Sequence, residues 1–172
     1  MALDLAASRS PSYQAGSFAL FLGAAAIAGA WLFEYAGYAP CPLCLTQRWA
    51  YYAGIPVLFA ALALLSGGQK RAAVWLFGLA ALAFLANAGL GVYHAGAEWK
   101  FWPGPETCAG GAQSLSSNAG DLLKQIETTK VIRCDEPAIR IFGLSLAGWN
   151  AITSLLIFAG AARAAFAASE EV

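Results

Sequence analysis

Four long stretches without an acidic or basic residue decide what this chain can become: Ser10 to Phe33, Trp49 to Gln69, Ala72 to Ala97 and Ile141 to Ala162. They run 24, 21, 26 and 22 residues, and the third contains His94 as a candidate titrating group. A helix rises about 1.5 Å per residue, so roughly 20 residues cross the roughly 30 Å of hydrocarbon in a bilayer. Each stretch is long enough. A soluble protein could bury one such helix, but four in 172 residues leave no polar shell. Charged residues make up 12% of the chain, against roughly 25% in soluble domains. The predicted fold is all-α, a transmembrane four-helix bundle forming a single integral membrane domain over 1–172. The predicted spans are about 14–34, 43–66, 71–95 and 142–163. Net charge is zero and the basic residues are scattered. That excludes a surface built to track nucleic-acid phosphates.

The stretches are rich in Ala and Gly, with Ala25 and Gly29 one helical turn apart. Small residues let helices approach closely in lipid, where packing drives association. Pro56 removes a backbone donor inside the second stretch and predicts a kink there. No basic cluster precedes the first stretch, and it is long, so it reads as a retained span and not a cleaved signal.

Four spans put both termini and the tight Ser66–Arg71 turn on one side. The other side holds loops at about 35–42 and 96–141. Lys and Arg do not orient the chain by number. Arg9, Lys70, Arg71 and Arg163 lie on the terminal side, and Arg48, Lys100, Lys124, Lys130, Arg133 and Arg140 on the other. The cysteines arbitrate. Cys41, Cys44, Cys108 and Cys134 all fall in or beside the two loops. An even cysteine count there fits an oxidising compartment. The loops are therefore expected outside, in the periplasm of a bacterial inner membrane, with the termini cytoplasmic.

Within the long loop, Trp99, Phe101 and Trp102 suit a membrane interface, where amphipathic rings settle. Gly110 to Gly120 is small and polar. Asp121 to Val131 predicts a short helix with Leu122, Leu123 and Ile126 on one face, capped by Asn118 or Asp121. That helix would lie on the membrane surface or pack on the protein's own loops.

Cys41-Pro42-Leu43-Cys44 is a C-x-x-C motif at the outer end of the second span. Such closely spaced disulfides tend to be labile and catalytic. Cys44 falls in the first helical turn, where free N–H groups and the dipole favour a thiolate. Arg48 shares its helix face at i+4. Both effects predict a depressed Cys44 pKa. A C-x-x-C motif alone is also compatible with a metal site or a structural bridge. Metal would need further ligands, for which Cys108, Cys134 and His94 are candidates. Cys108 and Cys134 enclose 25 residues. A bridge between them could be a staple or an exposed redox disulfide, and spacing does not choose. His94, near the outer end of the third span, is a candidate for ligand binding or proton handling.

Taken together, these features resemble the DsbB family, membrane thiol oxidoreductases that re-oxidise the periplasmic dithiol oxidase DsbA. The residues that carry the resemblance are Pro40 to Cys44 with Arg48, Tyr93-His94, and the Cys108…Cys134 pair. Cys134-Asp-Glu and the run Phe142 to Asn150 add to it, and the four spans match in order. The resemblance implies a relay through catalytic Cys41, Cys44, Cys108, Cys134 and Arg48. A DsbA-like partner would attack Cys108–Cys134, Cys134 would exchange with Cys41, and Cys44 would face a membrane quinone. It implies quinone contacts from Cys44, Arg48 and His94, and ubiquinone ahead of menaquinone as the cofactor. Gln47 departs from the family, where an acidic residue can precede the arginine. The alternative is a non-enzymatic four-span scaffold with structural disulfides in its outer loops.

Overall fold

In a computed structural model, residues 10–104 and 134–172 are described. Four long helices dominate them: α1 (Pro11–Tyr35), α2 (Pro42–Ser66), α3 (Lys70–Glu98) and α4 (Leu146–Glu170). All four are long and apolar enough to cross a membrane. Among the described residues the bundle is all-α apart from one two-stranded hairpin, β1 (Arg140–Ile141) and β2 (Leu144–Ser145). Cys108 and the helix predicted at 121–131 lie outside the described residues.

The helix starts follow from side-chain capping. Ser10 Oγ accepts the Tyr13 N–H and Pro11 opens α1. Cys41 Sγ accepts the Cys44 N–H and Pro42 opens α2. Ser145 Oγ accepts the Gly148 N–H at the head of α4. Each cap satisfies one of the donors that a helix start leaves open, and Pro at the first position gives up a donor that has no partner there. The hairpin turns on Phe142 and Gly143, both at positive φ (52° and 84°). Two left-handed central residues match the twist of a two-residue hairpin. The turn replaces the first residues of the span predicted from 142, so the helix begins at Leu146. α2 runs on past Pro56.

Three helix ends meet at the terminal side. Lys70 Nζ, at the start of α3, donates to the Glu171 carbonyl at 2.8 Å. Ser12 Oγ, in α1, donates to Glu171 Oε1 at 3.2 Å. The interior inverts the pattern of soluble proteins. Ala19, Ala61, Ala73, Ala161 and Ala164 are fully buried, while Phe21, Phe59, Trp75, Leu82 and Phe166 face outward. Lipid tails are as apolar as Leu, so burying large side chains brings no gain, whereas small ones allow tight backbone packing. Phe77, Phe84, Leu58 and Ile157 fill the remaining core.

α3 packs most extensively on α4. A Cβ at Gly91 would stand 3.0 Å from the Ala151 backbone, so a side chain there would press the two helices apart. Gly89, two residues away, has open space beside it. Gly91→Leu is expected to destabilise the detergent-solubilised protein by about 1–3 kcal/mol. Gly89→Leu should leave its unfolding midpoint nearly unchanged. Equal midpoints for the two variants would contradict this packing.

Candidate active site

The site lies at the end of the bundle opposite the termini, and it begins with the capping of α2. Cys41 is the N-cap, so the open Cys44 N–H points at Cys41 Sγ, 3.2 Å away. The two sulfurs are 2.8 Å apart and both cysteines are free. His94 Nε2, from α3, lies 3.6 Å from Cys41 Sγ. The Cys44 thiol and then His94 hold the Cys41 thiol below the ordinary range, against the opposing effect of burial. The helix-start donor therefore serves Cys41, where the sequence places it on Cys44. One residue of register decides this, because the cap position takes the N–H.

Arg48 is also engaged elsewhere than expected. Its guanidinium pairs with Glu34 of α1 and donates to the Ala30 carbonyl at 3.4 Å. It still lines the same cavity as Cys44. Cys134 is buried, disulfide-bonded, and packed in one cluster with Cys41, Cys44 and Leu43. Of the residues singled out from sequence, Cys41, Cys44, His94 and Cys134 thus come together, with Arg48 on the cavity wall.

His94 is fully buried, and a chain of amides holds it. Asn87 Nδ2 donates to Ser154 Oγ at 3.0 Å and to Asn150 Oδ1 at 3.4 Å. Tyr51 Oη donates to the same Asn150 oxygen at 2.6 Å. Asn150 Nδ2 donates to Gln47 Oε1 at 2.9 Å, and Gln47 Nε2 lies 3.1 Å from His94 Nδ1. The far end sets the sense of this chain. His94 Nε2 faces Cys41 Sγ and, at 3.7 Å, Glu98 Oε1. Sulfur and carboxylate oxygen are acceptors there, so Nε2 carries the proton and Nδ1 accepts from Gln47. Cys41 Sγ, Cys44 Sγ and His94 Nε2 lie within 4.8 Å of one another, a spacing that soft metals also use. A metal ligand needs a lone pair at Nε2, which this wiring fills with hydrogen.

A cavity of about 830 Å³ adjoins the cysteines. Ala25, Ala26, Gly29 and Ala30 of α1 form one wall, and Cys44, Arg48, His94 and Trp149 lie around it. Ala25 and Gly29, expected to sit at a helix contact, instead make room: nothing stands within 4 Å of a Cβ built at Gly29. Sequence reasoning missed Glu98, Asn87, Asn150 and Tyr51. Their signal was polar residues on one helix face, such as His94 and Glu98 at i+4 or Gln47 and Tyr51 at i+4.

A membrane bundle with a paired dithiol, a third buried sulfur packed on it and an adjoining cavity is built for thiol–disulfide redox chemistry. Residues 14–164 match the family model described as disulfide bond formation protein DsbB. The chain belongs to that family, whose work is oxidative disulfide bond formation. Among curated relatives, it is 30% identical over 141 residues to a disulfide bond formation protein B of Albidiferax ferrireducens, covering 75% of this chain and 72% of that one. It is 27% identical over 139 residues to an uncharacterized protein of Rickettsia prowazekii, covering 78% of each. No solved structure matches.

The capping geometry sets a pH expectation. A thiol held below its ordinary value loses its proton at lower pH, so the thiolate is present above that lowered value and vanishes only below it. In the reduced protein, ultraviolet thiolate absorbance should persist at pH of about 7, well under an ordinary thiol's range. Cys41→Ser should abolish it. Persistence in Cys41→Ser, together with loss in Cys44→Ser, would return the thiolate to Cys44.

Proposed function

We propose that this protein re-oxidises a DsbA-like dithiol protein and passes the electrons through two cysteine pairs to a membrane quinone. The observation that carries the reading is Cys41, packed with Cys44 on one side and disulfide-bonded Cys134 on the other. An exchange relay needs a thiolate within reach of a disulfide sulfur. In the forward direction Cys134 is that thiolate and Cys41, bridged to Cys44, is the sulfur it attacks, and the two are buried neighbours. In this reading Cys108 meets the external partner and forms a mixed disulfide with it. Cys134, released, exchanges with Cys41, and Cys44 becomes the outgoing thiol. The cysteine end faces the periplasm, the termini face the cytoplasm, and residues 1–172 act as one membrane domain.

The cavity fits a quinone by its donor set. Its α1 wall is small and apolar, suited to a flat ring in lipid, while Arg48 supplies a polar contact beside Cys44 and the His94 ring lines the cavity. When bound, a quinone supplies the two-electron acceptor that thiols lack. Arg48, anchored by Glu34, orients its guanidinium along the wall. His94 is kept in one tautomer by Gln47. Ubiquinone and menaquinone share the head-group chemistry this cavity addresses, and ubiquinone is our first choice.

The test is quinone reduction by the detergent-solubilised protein, driven by a reduced DsbA-like dithiol protein. We expect turnover, with Cys44→Ser reducing it to background. If no quinone is consumed, or Cys44→Ser keeps the rate, the reading fails. Arg48→Ala should raise the apparent KM for quinone about tenfold or more, the scale of one lost charge-assisted hydrogen bond. An unchanged KM would remove Arg48 from the quinone site.

A further inference from the structure

Glu98 closes α3 one turn after His94, and its side chain is only 5% exposed. Its Oε1 stands 3.7 Å from His94 Nε2. Its Oε2 is buried with no hydrogen-bond partner among the described residues. A buried carboxylate with an empty oxygen is unusual, because an unmade bond to a charged group costs more than to a neutral one. The groups facing it are few. His94 comes from its own helix, Cys41 and Cys44 from α2, and Ser145 and Arg140 from the hairpin. Arg140 is exposed to solvent, so its charge is screened.

One N–H therefore sits between two acceptors. His94 Nε2 is 3.6 Å from Cys41 Sγ and 3.7 Å from Glu98 Oε1. It can satisfy one anion at a time. Two anions sharing a buried pocket repel, so such a pair holds one proton between them. His94 Nδ1 is already engaged by the Gln47 amide.

We propose that Glu98 and Cys41 share a single negative charge, which moves from the sulfur to the carboxylate when the Cys41–Cys44 pair is oxidised. This rests on the redox role proposed above. In the dithiol state Cys41 is the thiolate, Cys44 is a thiol, and Glu98 carries its proton on Oε2. On oxidation the S–S bond forms, the Cys44 S–H bond breaks and two electrons leave to the quinone. Glu98 ionises and His94 Nε2–H turns its bond to it. Two protons depart, one from Cys44 and one from Glu98, and these are the two that reducing a quinone to a hydroquinone consumes. The pocket's net charge stays constant, so the electrons leave without creating or stranding a buried charge. Glu98 is in this sense a proton store for Cys41, and His94 a positioning residue.

Redox-difference infrared spectroscopy on quinone-free, full-length protein tests this, with diamide as the oxidant. Oxidation should remove a protonated-carboxyl band in the wild type. Glu98→Gln should lack that band change. The pH slope of the pair's reduction potential should fall to about half in Glu98→Gln, because one proton instead of two then accompanies the two electrons. No carboxyl band change in the wild type overturns the proposal, whether or not the variant folds. So does an unaltered band change or slope in Glu98→Gln. Because quinone is absent, a positive band with no quinone turnover would sink only the wider reading, and turnover without the band would sink only Glu98's role.

Discussion

The N-terminal cap of α2 is the contact on which the site depends. A helix start leaves N–H groups open, and here the acceptor that fills one of them is a cysteine sulfur. That single bond orients Cys41 Sγ inward, toward His94 and Cys44. Proline at the next position holds the backbone in helical form without needing a donor of its own. A serine in place of Cys41 could cap the helix as well, but it would leave no redox sulfur at the position that meets Cys44, His94 and Cys134. Structure and chemistry share an atom.

The bundle around it explains how so polar a site survives in a membrane. Large side chains face lipid, alanines and glycines face inward, and the backbones approach closely. Space between them is taken by amides that satisfy one another from Asn87 to Gln47. Each added link fixes the next, so the order reaches His94 as a fixed tautomer. The wide spot along α1, made by Ala25 and Gly29, has the opposite logic: small residues there leave a cavity in place of a contact. The same residue types serve both ends, and only the neighbouring helix decides which.

Much of this was legible in the sequence. Uncharged runs gave four helices because length and lack of charge are direct properties of a span. The C-x-x-C pair and its place at a helix start were also readable, as was the gathering of cysteines at one end. What escaped was the register of the cap. Whether Cys41 or Cys44 takes the open N–H turns on where α2 begins, and Pro42 was the local clue. Arg48 at i+4 from Cys44 was a sound inference from one helix, but Glu34 sits on another, and spacing along a chain says nothing about a partner across the bundle. The amide chain and Glu98 needed three helices in place before they meant anything. The hairpin at Arg140–Ser145 hid because its turn carries Phe142, a poor left-handed residue, where Asn or Asp would have signalled it.

The central claim is that Cys41 is the junction between the two cysteine pairs. Peptide mapping of acid-quenched Cys44→Ser protein tests it directly. Without Cys44, the Cys41 thiolate can still attack Cys134, releasing Cys134's original partner as a thiol, and no Cys44 is there to draw Cys41 back into its own pair. The account predicts a peptide in which Cys41 is disulfide-linked to Cys134. Recovery of Cys41 as a free thiol, with Cys134 still in its original bridge, would contradict it.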